Sequence, residues 1–249
     1  MTDTEFGKRL TDRMTKSERD QSFPDSVPRD AATLMLIDRT GPQPTVLMGR
    51  RHASHKFMPG KFVFPGGRIE AADQAMGAAS ELAAAATAKV ALRPRDAQVP
   101  PPRAFPLCAV RETFEETGLM LGVKGKPPAI APNSEWEPFV SAGVLPDLAN
   151  IHFIARAITP PRRPKRFDTR FFTADAQMVA HKVDGVVGPD SELVELVWIP
   201  IKDAKTLDLP TITATILEEL EARVKAGMAH DLPVPFYFMD NQQFFRDLL

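Results

Sequence analysis

The chain has 249 residues, enough for one large domain with a substantial core. Hydrophobic residues make up 43% and charged residues 25%, as in ordinary globular proteins, and the net charge of −1 offers no global field for nucleic acid or an anionic membrane. A single cysteine, Cys108, excludes an internal disulfide framework and suits a reducing compartment, so a cytoplasmic location is expected.

Residues 1–28 are polar and charged, and read either as a tail or as a short amphipathic helix. Ala31 to Ile37 is an apolar run suited to a buried strand, Gly41-Pro42 a turn, and Thr45 to Gly49 a second strand antiparallel to the first. A basic loop from Arg50 to Lys56 leads to the strand Lys61–Phe64 and the turn Pro65-Gly66-Gly67, whose glycines let the backbone approach a metal or phosphate closely. Gln74 to Leu92 is alanine-rich and predicts one helix, stopped by Pro94 and Pro100–Pro102. No apolar run is long enough to span a bilayer.

Phe105 to Met120 predicts the next helix, ended by Gly118, with Glu112, Glu115 and Glu116 on one face. Two carboxylates about 6 Å apart repel by about 3 kcal/mol at an effective dielectric near 20. A hard divalent cation relieves that repulsion, which makes the face a candidate metal platform, the alternative being a solvated acidic face. Arg111 is placed to hold the first acid through its planar fork, and Cys108 reads as core.

Residues 121–149 predict a loop and a short helix, and Ile151–Ile158 a strand. The basic stretch 159–166 then offers Arg163 and Arg166 either as phosphate forks or, through Arg166 and Asp168, as a loop that fixes its own turn. Ser191 to Pro200 is a strand on which Glu192 and Glu195 face opposite ways, so at most one meets the site, and Glu192 is preferred. Thr211–Lys225 predicts an amphipathic helix over the sheet, and the Phe-rich tail from Asp231 a segment packed on the surface or on a partner copy.

Taken together, Gly67, Arg111, Glu112, Glu115, Glu116, Gly118 and Leu119 resemble the Nudix box, G-x5-E-x7-R-E-U-x-E-E-x-G-U with U a bulky apolar residue. Asp73 stands where the box has its first glutamate, Thr113 where it has a bulky apolar residue, and residues 74–103 are inserted between the halves. A box split in this way resembles the subgroup that includes the peroxisomal coenzyme A diphosphatases. Leu47 to Gly67 is similar to that group's coenzyme A signature at Arg50, Lys56, Gly60 and Phe64–Gly67.

The resemblance implies an α/β/α sandwich over residues 29–249, with a mixed sheet, a helical insertion at 74–103 and a C-terminal helix. It implies a pyrophosphohydrolase using Mg²⁺ or Mn²⁺. Glu115 and Glu116 would be the principal ligands, the Gly66 carbonyl a further one, Glu112 a ligand or the acceptor of the water proton, and Arg111 its orienter. The expected partner is a nucleoside diphosphate derivative contacted by Arg50, Lys56, Arg163, Arg166 and Glu192, with no nucleic acid or membrane and with a homodimer open. Coenzyme A or an acyl ester is the first substrate reading. ADP-ribose or NADH is the alternative, and a non-catalytic nucleotide-binding protein the third.

Overall fold

The computed structural model describes residues 3–54, 58–126 and 131–249. Helix α1 (Asp3–Lys16) precedes β1 (Arg29–Asp38), and β2 (Thr45–Arg51) returns antiparallel to β1 with Ile37 opposite Val46. Two short strands, β3 (Phe62–Val63) and β4 (Gly66–Arg68), wedge between them, β3 on β2 and β4 on β1. Three helices follow, α2 (Ala71–Ala75), α3 (Ala84–Ala91) and α4 (Ala104–Thr117), then the short strands β5 (Leu119–Leu121) and β6 (Val123–Lys124). Helix α5 (Glu137–Ala142) and β7 (Val144–Leu145) lead to β8 (His152–Ile158) and β9 (Phe167–Asp175). The chain closes with β10 (Val179–Lys182), β11 (Leu193–Pro200), α6 (Ile201–Ala204), α7 (Thr211–Lys225), β12 (Pro235–Asp240) and β13 (Gln243–Leu248).

The central sheet runs β11-β2-β1-β9-β8-β12-β13, parallel at β1–β9 and β8–β12 and antiparallel elsewhere along that path. Alternation along β1 feeds two cores. Leu34 and Leu36 pack towards α4 with Phe105, Leu107 and Val110, whereas Met35 and Ile37 pack towards α7 with Ile216, Leu217 and Leu220. This is the mixed α/β/α sandwich that the resemblance implies. Among the described residues no helix is long and apolar enough to cross a membrane.

Two elements differ from the sequence reading. The alanine-rich stretch is not one helix but α2 and α3 joined by an irregular segment. Ser80 there bonds the Asp147 carboxylate and accepts from the N–H groups of Leu148 and Ala149. These partners lie on a distant loop, which local propensity cannot register. The tail from Asp231 is not a surface segment either: it supplies β12 and β13, the last two strands of the sheet, with Tyr237 fully buried. At the other terminus α1 buries Leu10 and Met14, and its Arg9 and Arg13 pair with the largely buried Glu218 of α7.

Candidate active site

Helix α4 is buried along most of its length and ends where Gly118 takes a left-handed φ of 76°. A side chain at Gly118 would run into the Val183 carbonyl, so both the conformation and the space call for glycine. The ending fixes the C-terminal end of the helix, which carries Glu112, Glu115 and Glu116 against the β4 turn.

Arg111 is 1% exposed and organises the acids around it. Its Nε and Nη2 hold both Asp73 oxygens, at 2.7 and 3.1 Å, and its Nη1 reaches Glu112 at 3.0 Å and Glu115 at 3.0 Å. Nη2 also donates to the Arg68 carbonyl. Asp73 in turn accepts the Glu70 N–H at the start of α2, at 2.8 Å. Both Asp73 oxygens are therefore committed within the protein, and its shorter side chain serves to seat the arginine.

Glu116 is 7% exposed, and its Oε2 has no partner. Its other support is the Gly66 N–H. Burial, then the charges of Glu192 and Glu112, push its carboxyl well above the usual range, while the Arg51 guanidinium acts against them. Burial likewise raises Glu112 to about 7, with Arg111 opposing and Glu115 adding to the shift. Glu115 is raised by burial more modestly. Gly67 leaves the space that Glu112 occupies, since a Cβ there would fall inside its carboxylate. Cys108 is fully buried with its thiol pushed up by burial, and packs on the Gly67 and Arg68 carbonyls as a core residue.

The predicted site residues divide into two groups. Arg111, Glu112, Glu115, Glu116 and Gly66 come together, and Glu192 stands close enough to act on Glu116. Arg50 instead makes a solvent-exposed pair with Glu195 across β2 and β11 at 2.7 Å. Arg163 donates to the Asp20 carbonyl, and Arg166 to Asp25, Ser26 and Thr159. Lys56 lies outside the described residues. The residue that sequence reasoning missed is Arg51, which pairs with Glu192 at 2.9 Å and faces Glu116. Strand alternation across β2 was the available signal: positions 50 and 51 must point to opposite faces.

Among the described residues no three acidic, histidine or cysteine side chains already stand as a metal cage, because Glu112 and Glu115 are turned onto Arg111. The donor chemistry nevertheless suits a hard divalent cation. It comprises carboxylate oxygens alone, one of them buried and unpartnered, beside a turn without side chains. The same crowding sets a pH dependence. Carboxyls with raised values bind more protons folded than unfolded, so their contribution to stability is lost as pH rises through the folded value. In EDTA the melting temperature should fall as pH rises from about 6 to about 7.5, through the folded value of Glu112. His152, lowered by burial to about 4, acts in the opposite sense, but mainly below its ordinary value of about 6.5. A flat or rising profile over that range would contradict the assignment.

No family model matches the chain. A Caenorhabditis elegans protein assigned as nudix hydrolase 7 is 27% identical over 187 residues, covering 70% of this chain and 52% of that protein. The chain thus spans about half the length of this curated relative. A solved NUDIX hydrolase from Alicyclobacillus acidocaldarius superposes with a TM-score of 0.60 at 28% identity, over 79% of this chain and 92% of the other. A more distant match, the NUDIX domain of Shewanella oneidensis NrtR solved with ADP ribose, reaches a TM-score of 0.44 at 14% identity over 90% of this chain and 99% of that one, too low to bear on function.

Proposed function

We propose, starting from the Nudix hydrolase superfamily that the curated and solved neighbours support, that this chain is a divalent-metal-dependent pyrophosphohydrolase acting on a nucleoside diphosphate linked to a second group. The observation that carries the reading is the buried Glu116 carboxylate, one oxygen unpartnered, held against Glu112 and Glu192 beside the Gly66-Gly67 turn. A cluster so costly in repulsion serves no evident purpose in a protein that only packs there.

Glu112, Glu115 and Glu116 would hold Mg²⁺ or Mn²⁺, with the Gly66 carbonyl a further candidate donor. Bound there, the cation supplies charge neutralisation at phosphate oxygens and acidification of water. In the reaction water adds to one phosphorus, the bridging P–O bond breaks, and a nucleoside phosphate and a phosphorylated second group leave. Glu112, held beside Arg111 at the edge of this group, would serve either as one of these ligands or as the acceptor of the water proton. Without the cation Arg111 holds Glu112 and Glu115 close to the site they would turn towards, and Asp73 holds Arg111. Arg51 supplies a cation beside Glu116 and Glu192.

For substrate we favour coenzyme A or its acyl esters, on the split box and the cations upstream of the Phe64–Gly67 turn. Incubation with Mg²⁺ or Mn²⁺ and, separately, coenzyme A, ADP-ribose and NADH tests this. Release of 3′,5′-ADP from coenzyme A is expected as the fastest reaction. Faster cleavage of ADP-ribose or NADH would replace the substrate, and three intact diphosphates with both metals would leave only nucleotide binding.

A further inference from the structure

A cleft of about 400 Å³ opens between the β12–β13 hairpin, the end of the insertion and the β8–β9 loop. It shares no lining residue with α4, β4 or the segment that carries Glu192. Arg93, Arg95 and Arg166 line it together with Phe236 and Phe238. Its volume lies within the usual range of small-molecule pockets, roughly 300–1,000 Å³.

The aromatic side of the cleft is a ladder. Alternation puts Phe236 and Phe238 on one face of β12, and register places Phe245 of β13 opposite Phe238. Successive ring centroids are 5.1 and 5.7 Å apart, and the outer pair is stacked at 21°. Phe238 is half-buried and Phe245 is 41% exposed, so the ladder ends in solvent instead of the core. Such a staircase offers faces on which a planar heteroaromatic ring stacks.

The cationic side is held under strain. Arg93 adopts a φ of 49°, a left-handed conformation that costs energy for any residue other than glycine. The fold over-determines it: Nη1 of buried Arg156 donates to the Leu92 and Arg93 carbonyls, at 3.0 and 2.9 Å. Arg156 is itself clamped by the buried Asp168 and lies 4.4 Å from the Phe236 centroid. The strained turn carries the Arg93 guanidinium over the same ring, at 5.9 Å. Arg93 is paired only with the exposed Asp247, a surface pair weak enough for a phosphate to exchange with it, while Arg166 is held at the cleft by the Thr159 and Ser26 carbonyls and offers the phosphate its exchangeable contact with the exposed Asp25.

We propose that this cleft binds a nucleoside monophosphate group without a divalent cation, the base stacked on Phe238 and the phosphate taken by Arg93 and Arg166. The group could arrive as a free nucleotide or as the far end of a diphosphate substrate. Calorimetric titration of the full chain with AMP in EDTA tests the proposal, since the metal-dependent box is then silent. Saturable binding is expected, with adenosine and inorganic phosphate both weaker. Phe238→Ala should weaken AMP about tenfold, and Arg93→Gln should remove the advantage of AMP over adenosine while leaving adenosine unchanged. Arg93 is half-exposed, so its variant tests the site even if Phe238→Ala fails to fold. Where the chain turns over a diphosphate with Mg²⁺, a KM raised by Arg93→Gln identifies the far end of the substrate, and an unchanged KM a separate nucleotide site. No saturable heat up to about 10 mM AMP, inorganic phosphate bound as tightly as AMP, or wild-type AMP affinity in Arg93→Gln would each overturn the proposal.

Discussion

Glu116→Gln is expected to lower kcat/KM by about a thousandfold while leaving the melting temperature in EDTA at or above that of the wild type. The two effects have one cause. Glu116 is buried beside two other carboxylates, and one of its oxygens has no partner within the protein. Neutralising it removes repulsion from the metal-free fold and removes a ligand charge from the loaded site. The isosteric amide fills the same volume, so packing is not at stake. A melting curve and a rate on the same sample separate this account from a purely structural one. Substantial loss of stability with activity retained would mean that Glu116 is a core residue and nothing more.

Arg111→Met should be the most damaging single change to the fold. Arg111 is 1% exposed, and its removal strands the fully buried Asp73 together with Glu112 and Glu115. Breaking a buried pair by deleting one partner costs about 3–5 kcal/mol. For a chain of this size that corresponds to a fall in melting temperature of roughly 10 °C. Lysine should not rescue it, because a single ammonium cannot reproduce the fork that holds both Asp73 oxygens. Asp73→Asn in the Arg111→Met background should recover part of the loss, since the orphaned charge is then gone. A fall of less than about 2 °C for Arg111→Met would show that the acids find other support.

What the sequence made legible was whatever depends on near neighbours. Helix α4 follows from its acids at one face and from Gly118 at its end, and the helix read from Thr211 to Lys225 is α7 itself. The β1–β2 pair follows from an apolar run, a Gly-Pro turn and a second run. What stayed hidden depends on partners far along the chain. Asp73 meets Arg111 from 38 positions away, and Ser80 meets Asp147 from 67. Nothing in the alanine-rich stretch announces the Ser80 contact, so a continuous helix was the natural expectation there. The β12–β13 strands were missed for a related reason. Their parallel neighbour β8 lies far upstream, and a Phe-rich terminal stretch looks the same whether it pairs in a sheet or packs on a surface. Arg51 went unnoticed for a simpler reason: strand parity puts positions 50 and 51 on opposite faces, but only the pairing of β2 with β11 shows that it is Arg51 that meets Glu192.

The central claim is that these glutamates are gathered to share a divalent cation. Anomalous diffraction from crystals of the full chain equilibrated with Mn²⁺ measures this most directly. The account predicts a peak bounded by the carboxylates of Glu112 and Glu116 beside the Gly66-Gly67 turn, with Glu115 released from Arg111 towards it. Density confined to other surfaces at saturating Mn²⁺, with Glu112 and Glu115 still paired to Arg111, would contradict it.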